Sequence, residues 1–207
     1  MTRSHHSRRQ NDLPAKSQPR LFAIVLAAGT ASRFGAIKQL AIWRGQTLVA
    51  RAARLAEQLC AARSVLVSGY ASREVHAACA PLQGYLVVND DYPSGLGSSI
   101  ACGVAAVGDA SDGVLVMLAD QPRVTIAHLE ALASAWRTAP DCAVASRYSG
   151  DIGVPAIFPA SDFDELQALT GDRGARKLLI AHGAALRIVD CEAAALDVDH
   201  PADLDSL

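Results

Sequence analysis

A chain of 207 residues, 51% of them apolar, is long enough to bury the core of one α/β domain. Its net charge of −2 is dispersed, without the basic stripe that nucleic-acid recognition calls for, and no apolar stretch approaches the ~20 residues needed to cross a bilayer. What remains is a globular protein whose partners are small molecules, with neither nucleic acid nor membrane among them.

The chain opens on a polar segment, residues 1–20, carrying Arg3, Arg8, Arg9, Lys16 and Arg20 against one acid, Asp12. It lacks the apolar stretch of a secretory signal and reads as a disordered tail ahead of one domain over residues 21–207. The five cysteines, Cys60, Cys79, Cys102, Cys142 and Cys191, are widely spaced, odd in number and without a C-x-x-C pair. That pattern suits unpaired thiols in a reducing cytoplasm, with no metal or nucleophilic role.

Strand and helix patterns then alternate. Residues 22–26 read as a buried strand within the apolar run from Leu21 to Leu26. Residues 47–62 are helical, with Leu48, Ala52, Leu55 and Leu59 at helical spacing. A short strand over 64–68 leads to a helix over 72–80, for which Ser72 offers an N-cap and Glu74 a first-turn acid. Residues 85–88 are strand-like, 98–107 helical from a cap at Gly97 or Ser98, and 113–118 a strongly apolar strand. A helix over 125–137 follows, then strands over 142–146 and 154–158 separated by a turn at 150–153. Two short helices over 162–169 and 172–181, a strand over 186–189 and a terminal helix from Pro201 complete the chain. This alternation predicts a single α/β domain with a mostly parallel sheet and helices on both faces. In such sheets ligands sit at the carboxyl ends of the strands.

The loops at those ends carry the chemistry. After the first strand comes Leu26-Ala27-Ala28-Gly29-Thr30-Ala31-Ser32-Arg33-Phe34-Gly35-Ala36-Ile37-Lys38. Small residues let backbone N–H groups approach phosphate, and Arg33 and Lys38 add positive charge, so a nucleoside triphosphate or something as anionic is the expected ligand. It is neither a Walker A loop nor a G-x-G-x-x-G turn. Asp120 closes the apolar run of the fourth strand. A carboxylate there needs a partner, either a cation or a helix start to cap; beside a triphosphate, Mg²⁺ suits it, since that ion takes one or two carboxylates plus phosphate oxygens. Tyr92-Pro93-Ser94-Gly95-Leu96-Gly97-Ser98-Ser99 is a second Gly-rich turn opening a helix, able to meet a base or a phosphate with its backbone N–H groups. Gly171-Asp172-Arg173-Gly174-Ala175-Arg176 offers two guanidiniums to an acceptor phosphate, or a helix start capped by Asp172. Asp197 and Asp199 stand in a late acidic turn, Asp197 on the same face as Asp199 if the segment is extended; Asp199 is either a metal ligand or a cap for the last helix.

Taken together, Leu-Ala-Ala-Gly, Ser-Arg-Phe-Gly, Lys-Gln-Leu, Ala119-Asp120-Gln121-Pro122 and Asp197-Val198-Asp199-His200-Pro201-Ala202-Asp203-Leu204 resemble the nucleotidyltransferase superfamily with the glycosyltransferase-A-like, Rossmann-like fold. Gly153-Val154-Pro155-Ala156-Ile157-Phe158 and the Gly-Asp-x-Gly-Ala-Arg string are most similar to its molybdenum cofactor cytidylyltransferase branch, and the likeness runs over residues 22–204. Val154 stands where that branch has proline, and His200 where it has threonine. The resemblance implies Lys38, Arg33 and Asp120 as catalytic residues. It implies nucleotide or acceptor contacts at Ala27, Ala28, Gly29, Gly95, Ser99, Asp172 and Arg176, and Mg²⁺ on Asp120 and Asp199. Asn89 also matches a position of the family. Leu-Ala-Ala-Gly tends there to accompany cytidine and Leu-Ala-Gly-Gly guanosine, and the Ala28 methyl fills space beside the base. The implied reaction is transfer of CMP from CTP to the phosphate of Mo-molybdopterin, with transient docking to a xanthine-dehydrogenase-type enzyme. A nucleotidyltransferase for a sugar or polyol phosphate, and a non-catalytic carrier of the cofactor, are the alternatives.

Overall fold

The computed structural model describes residues 18–30, 34–172 and 174–206. One seven-stranded sheet organises them: β1 (Leu21–Ala27), β4 (Ser64–Ser68), β5 (Tyr85–Val88), β6 (Gly113–Leu118), β7 (Val144–Tyr148), β8 (Asp151–Pro159) and β9 (Arg187–Asp190), in the spatial order β5-β4-β1-β6-β8-β7-β9. β1 pairs in parallel with β4 and β6, and β4 with β5; β8 runs antiparallel between β6 and β7, and β7 pairs in parallel with β9. β1 is buried at every position because both of its faces are covered, which is why it reads as an unbroken apolar run.

Alternate residues of β1 face opposite cores. Leu21, Ala23 and Val25 pack with α1 (Leu48–Cys60), α2 (Ser72–Cys79) and α4 (Ile126–Arg137); Phe22, Ile24 and Leu26 pack with α3 (Leu96–Val107), α5 (Phe163–Gln167) and α6 (Arg176–Ala181). Helices therefore flank both faces, as the alternation predicts. No helix among the described residues is long and apolar enough to cross a membrane. Cys60 and Cys79 are buried free thiols, each pushed by burial to a pKa of about 11, too high for reactivity near neutral pH.

The structure departs from the sequence reading where turns decide. Arg20, counted with the tail, is anchored: its backbone N–H and guanidinium bond to the Asp112 carboxylate, at 2.7 Å for the N–H. The rest of the predicted tail up to Ser17 lies outside the described residues. The turn expected over 150–153 is tighter. Ser149 and Gly150 take φ of +50° and +77°, the pair of left-handed residues that a two-residue hairpin needs, and β8 begins already at Asp151. The same device, at Arg44 and Gly45, closes a small hairpin of β2 (Ile42–Trp43) and β3 (Gln46–Thr47), too short to leave a periodic signal. Ser72 does not cap α2, because Ala71 holds the cap position in a left-handed conformation. Gly95 rather than Gly97 or Ser98 precedes α3, and the Thr47 and Thr125 side chains cap α1 and α4 by accepting N–H bonds. The predicted helix over 172–181 is formed only from Arg176, and the terminal helix is a 3₁₀ run over Pro201–Ser206.

Two histidines, the buried His128 and the half-buried His76, favour the neutral form. His128 Nε2 meets Ser146 Oγ at 2.7 Å and His76 Nε2 meets Ser68 Oγ at 2.7 Å; burial pushes both imidazoles below their usual pKa. Lowered folded-state values mean that the unfolded chain takes up these protons first, so stability is lost as pH falls from about 6.5 toward the folded-state values. The urea midpoint should therefore drop between neutral and mildly acid pH, and His128→Gln should flatten that drop. A parallel pair of curves would show that His128 does not contribute.

Candidate active site

The carboxyl ends of β1 and β6 open into a cleft of about 470 Å³. β1 delivers Ala27, Ala28 and Gly29 to its wall, and β6 delivers Asp120. The Ala119 N–H donates to the Leu26 carbonyl at 3.1 Å, so the two strand ends stay zipped up to the residue before Asp120. The late acidic turn is then added beside them: the Val198 N–H donates to the Asp120 carbonyl at 2.9 Å, and Val198 is fully buried. This one backbone bond carries Asp199 to Asp120 across the intervening chain.

Lys38 joins the two acids. Its Nζ lies 2.7 Å from Asp120 Oδ2 and 3.0 Å from Asp199 Oδ1. Burial opposes the charge on Lys38, but Asp120 and Asp199 outweigh it and hold the ammonium above its usual pKa. Asp120 Oδ1 is buried and has no hydrogen-bond partner among the described residues. A buried carboxylate oxygen left without a donor is costly, and a cation supplied from the cleft would satisfy it. No group of three or more His, Cys, Asp or Glu among the described residues is arranged to cage a metal. A divalent ion here would take the two aspartates and complete its shell with phosphate oxygens and water, which is the habit of Mg²⁺.

Among the described residues the Asp199 carboxylate makes no hydrogen bond to an N–H of the last helix, and Asp203, inside that helix, reaches back with Oδ2 to accept from the N–H groups of Asp199 and His200 at 2.8 and 2.7 Å. The Asp199 carboxylate is thereby left for Lys38 and the cleft. Asp197 lies in a segment without strand pairing and does not line the cleft, yet it is close enough to Asp120 and Asp199 to feel both charges. Burial, then the neighbouring Asp120, push its carboxyl up to about 6, against a hydrogen bond with Gln121.

The opposite wall is the start of α3. Gly95 and Ser99 line it together with Tyr92 and Leu96. Asn89, matched in the sequence without a role, is the organiser. Its Nδ2 donates to Ser98 Oγ and Ser99 Oγ at 2.9 and 3.0 Å, and its Oδ1 accepts from the Asp91 N–H at 3.0 Å. With Asn89 donating, the Ser99 hydroxyl hydrogen is left to point at a ligand. The N–H groups of this turn are not all available, since that of Gly97 is taken by the Gly171 carbonyl at 2.8 Å. That bond brings Asp172 to the cleft wall. Gly95 has φ of +119°, and a Cβ there would collide with the Gly171 backbone and the Asp172 side chain. Gly95→Ala should push the two loops apart, lowering stability by about 1–3 kcal/mol and raising the nucleotide KM roughly tenfold. Thermal melts and initial rates would check both; an unchanged KM would separate this contact from binding.

Arg176 is placed differently from the other candidates. It is outside the cleft lining and ion-paired with Asp151 at the start of β8. Arg33, like Arg173, lies outside the described residues. Sequence reasoning passed over Gln39 as a separate residue. Its side chain is 5% exposed, lines the cleft and donates from Nε2 to the Gly29 carbonyl at 2.7 Å, tying the turn after β1 to the Lys38 segment. An uncharged amide in a loop carries no signal in composition; its place in the Lys-Gln-Leu string was the hint.

Comparison with known proteins accords with this geometry. Residues 23–186 match the model of the MobA-like NTP transferase domain. The purine catabolism protein PucB of Bacillus subtilis (strain 168) is 31% identical over 199 residues, covering 90% of this chain and 95% of that protein. The molybdenum cofactor cytidylyltransferase of Escherichia coli (strain K12) is 28% identical, covering 87% and 91%. The nicotine blue oxidoreductase of Paenarthrobacter nicotinovorans is 32% identical, covering 87% and 93%. Among solved structures, that of Rv0371C in complex with manganese from Mycobacterium tuberculosis H37Rv superposes with a TM-score of 0.76 at 30% identity, covering 91% of this chain and 97% of that one. Family, fold and the convergence of Lys38 with two aspartates agree: the chain belongs to the nucleotidyltransferase family of MobA-like NTP transferase domains.

Proposed function

We propose that the protein transfers CMP from CTP to the phosphate of Mo-molybdopterin, with Mg²⁺ as the working cation. The observation that carries this reading is the Asp120–Lys38–Asp199 cluster at the mouth of the turn after β1, which gathers cationic and metal-binding groups where a triphosphate would lie. Ala28, 5% exposed on the cleft wall, narrows the base end and favours the smaller pyrimidine. The relative named as a molybdenum cofactor cytidylyltransferase supports the choice of base and acceptor.

In this reading an acceptor phosphate oxygen attacks the α-phosphorus of CTP in line. The new phosphorus–oxygen bond forms as the bond to the α,β-bridging oxygen breaks, and pyrophosphate leaves with the electron pair. Mg²⁺ supplies charge neutralisation on the phosphate oxygens when it is bound at Asp120 and Asp199. The residues need form no covalent intermediate. Lys38 moves its ammonium between the carboxylates and the phosphate chain, and Arg33 adds a second positive charge to the pyrophosphate. Ser99 and the Ala27–Ala28 wall orient the nucleoside, and Asp172 with Arg176 bounds the acceptor side. Positioning and electrostatic stabilisation are then sufficient for catalysis.

Pyrophosphate release measured with CTP, GTP and ATP, each with and without Mo-molybdopterin, tests the proposal. Signal is expected with CTP and acceptor together. Equal rates with GTP would remove the base assignment. Release with CTP and a sugar phosphate, but not with the pterin, would replace the acceptor.

A further inference from the structure

Arg51 lies in the first half of α1 and does not line the cleft. Its Nε–H donates to the Pro122 carbonyl at 2.6 Å and its Nη2–H to the Val124 carbonyl at 3.0 Å. The guanidinium also sits over the Trp43 ring, 5.0 Å from its centroid, with Arg44 over the same ring at 4.5 Å. Burial, then the nearby charges of Arg54 and Arg44, hold its pKa below the usual arginine value. Among the described residues it forms no ion pair with a carboxylate. A half-buried cation without a counter-charge is unfavourable, and what offsets it here is a fork of charge-assisted bonds to two carbonyls of one turn.

That turn starts one residue after Asp120 and is closed by the Val124 N–H donating to the Gln121 carbonyl at 3.2 Å. Trp43, under the guanidinium, packs in one small apolar cluster with Leu48 and Val198. Val198 in turn lies between Asp197 and Asp199 and bonds the Asp120 backbone. Arg51 thus touches both supports of the acid pair, the turn that follows Asp120 and the aromatic ring under the Asp199 segment. We propose that Arg51 is a positioning residue that sets the spacing of the Asp120 and Asp199 carboxylates and, through it, the divalent-cation affinity of the cleft. The inference rests on reading that pair as the cation site.

Lysine keeps the charge but cannot bridge two carbonyls in one plane, so Arg51→Lys should break the fork while leaving the helix intact. Loss of an outer support typically costs 10–100-fold in metal affinity; as Arg51 acts through backbone, about tenfold is expected. The experiment is an EPR-detected Mn²⁺ titration of the full chain without turnover, on the parent, Arg51→Lys, Arg51→Met and Asp120→Asn proteins, each first checked for folding by circular dichroism. Arg51→Lys should weaken Mn²⁺ binding about tenfold. The Mn²⁺ concentration for half-maximal rate should rise in step, and kcat should recover at saturating Mn²⁺. If Arg51→Met does not fold, Arg51→Lys carries the test. Unchanged Mn²⁺ affinity in Arg51→Lys, with weakened binding in Asp120→Asn, overturns the role of Arg51 and leaves the cation site standing. Unchanged affinity in both overturns the site and the inference with it. A fall in kcat that saturating Mn²⁺ does not relieve also overturns it, because general loosening of the fold would do the same.

Discussion

Asp120→Asn should reduce turnover by at least about 10²–10³-fold while the protein still folds. The substitution keeps the shape of the side chain at the end of β6 and removes only its charge. Asp120 Oδ1 has no donor among the described residues, so no hydrogen bond seen there is lost. What is lost is the stronger half of the Lys38 clamp, the 2.7 Å contact, and half of the charge that would hold a divalent ion. Single-turnover pyrophosphate release together with Mn²⁺ binding measures both. Turnover close to that of the parent protein would remove Asp120 from catalysis, and with it the proposed reaction.

Lys38→Met should cost a similar factor, about 10²–10³ in turnover, for a different reason. Methionine retains most of the apolar stem and deletes the ammonium that would face the phosphates. The two variants separate on metal binding. In the protein as it stands, Lys38 pairs with both aspartates and offsets half of their charge, and a divalent ion must compete with it. Removing the ammonium leaves a more negative cleft, so Mn²⁺ should bind Lys38→Met at least as tightly as the parent, whereas Asp120→Asn weakens it. Weakened binding in both would mean that the lysine supports the site rather than competing for it.

The sheet and its two helical layers were legible because β1 and β6 are buried on both faces and read as unbroken apolar runs. Asp120 was legible for the opposite reason, as a charge placed where such a run ends. Asp199 was legible as a partner of Asp120 only through the family resemblance, since nothing in its spacing brings the two together. Its approach depends on one backbone bond, from Val198 to Asp120, and on Asp203 holding the Asp199 N–H, and neither leaves a periodic trace. Arg51 stayed hidden, and Asn89 and Gln39 were matched without a role, because each works through hydrogen bonds to backbone or to hydroxyls elsewhere in the chain. Turn boundaries moved where left-handed residues, Ala71, Ser149 and Gly150, set the chain direction.

The reversed strand β8 has a bearing on how such a scaffold changes its chemistry. Because it runs against β6 and β7, its first residue, Asp151, emerges at the same rim as the carboxyl ends of β6 and β7 and meets Arg176 there. The half of the rim formed by β1 and β6 is locked into the core through its strands. The other half ends in a two-residue hairpin tip at Ser149–Gly150 and the turn at Gly171–Asp172. Tips of this kind accept insertions and exchanges at little expense to folding. Variation can therefore accumulate on one bank of the crevice while the other stays fixed, a division of labour that lets a common nucleotide-handling body be refitted for different acceptors.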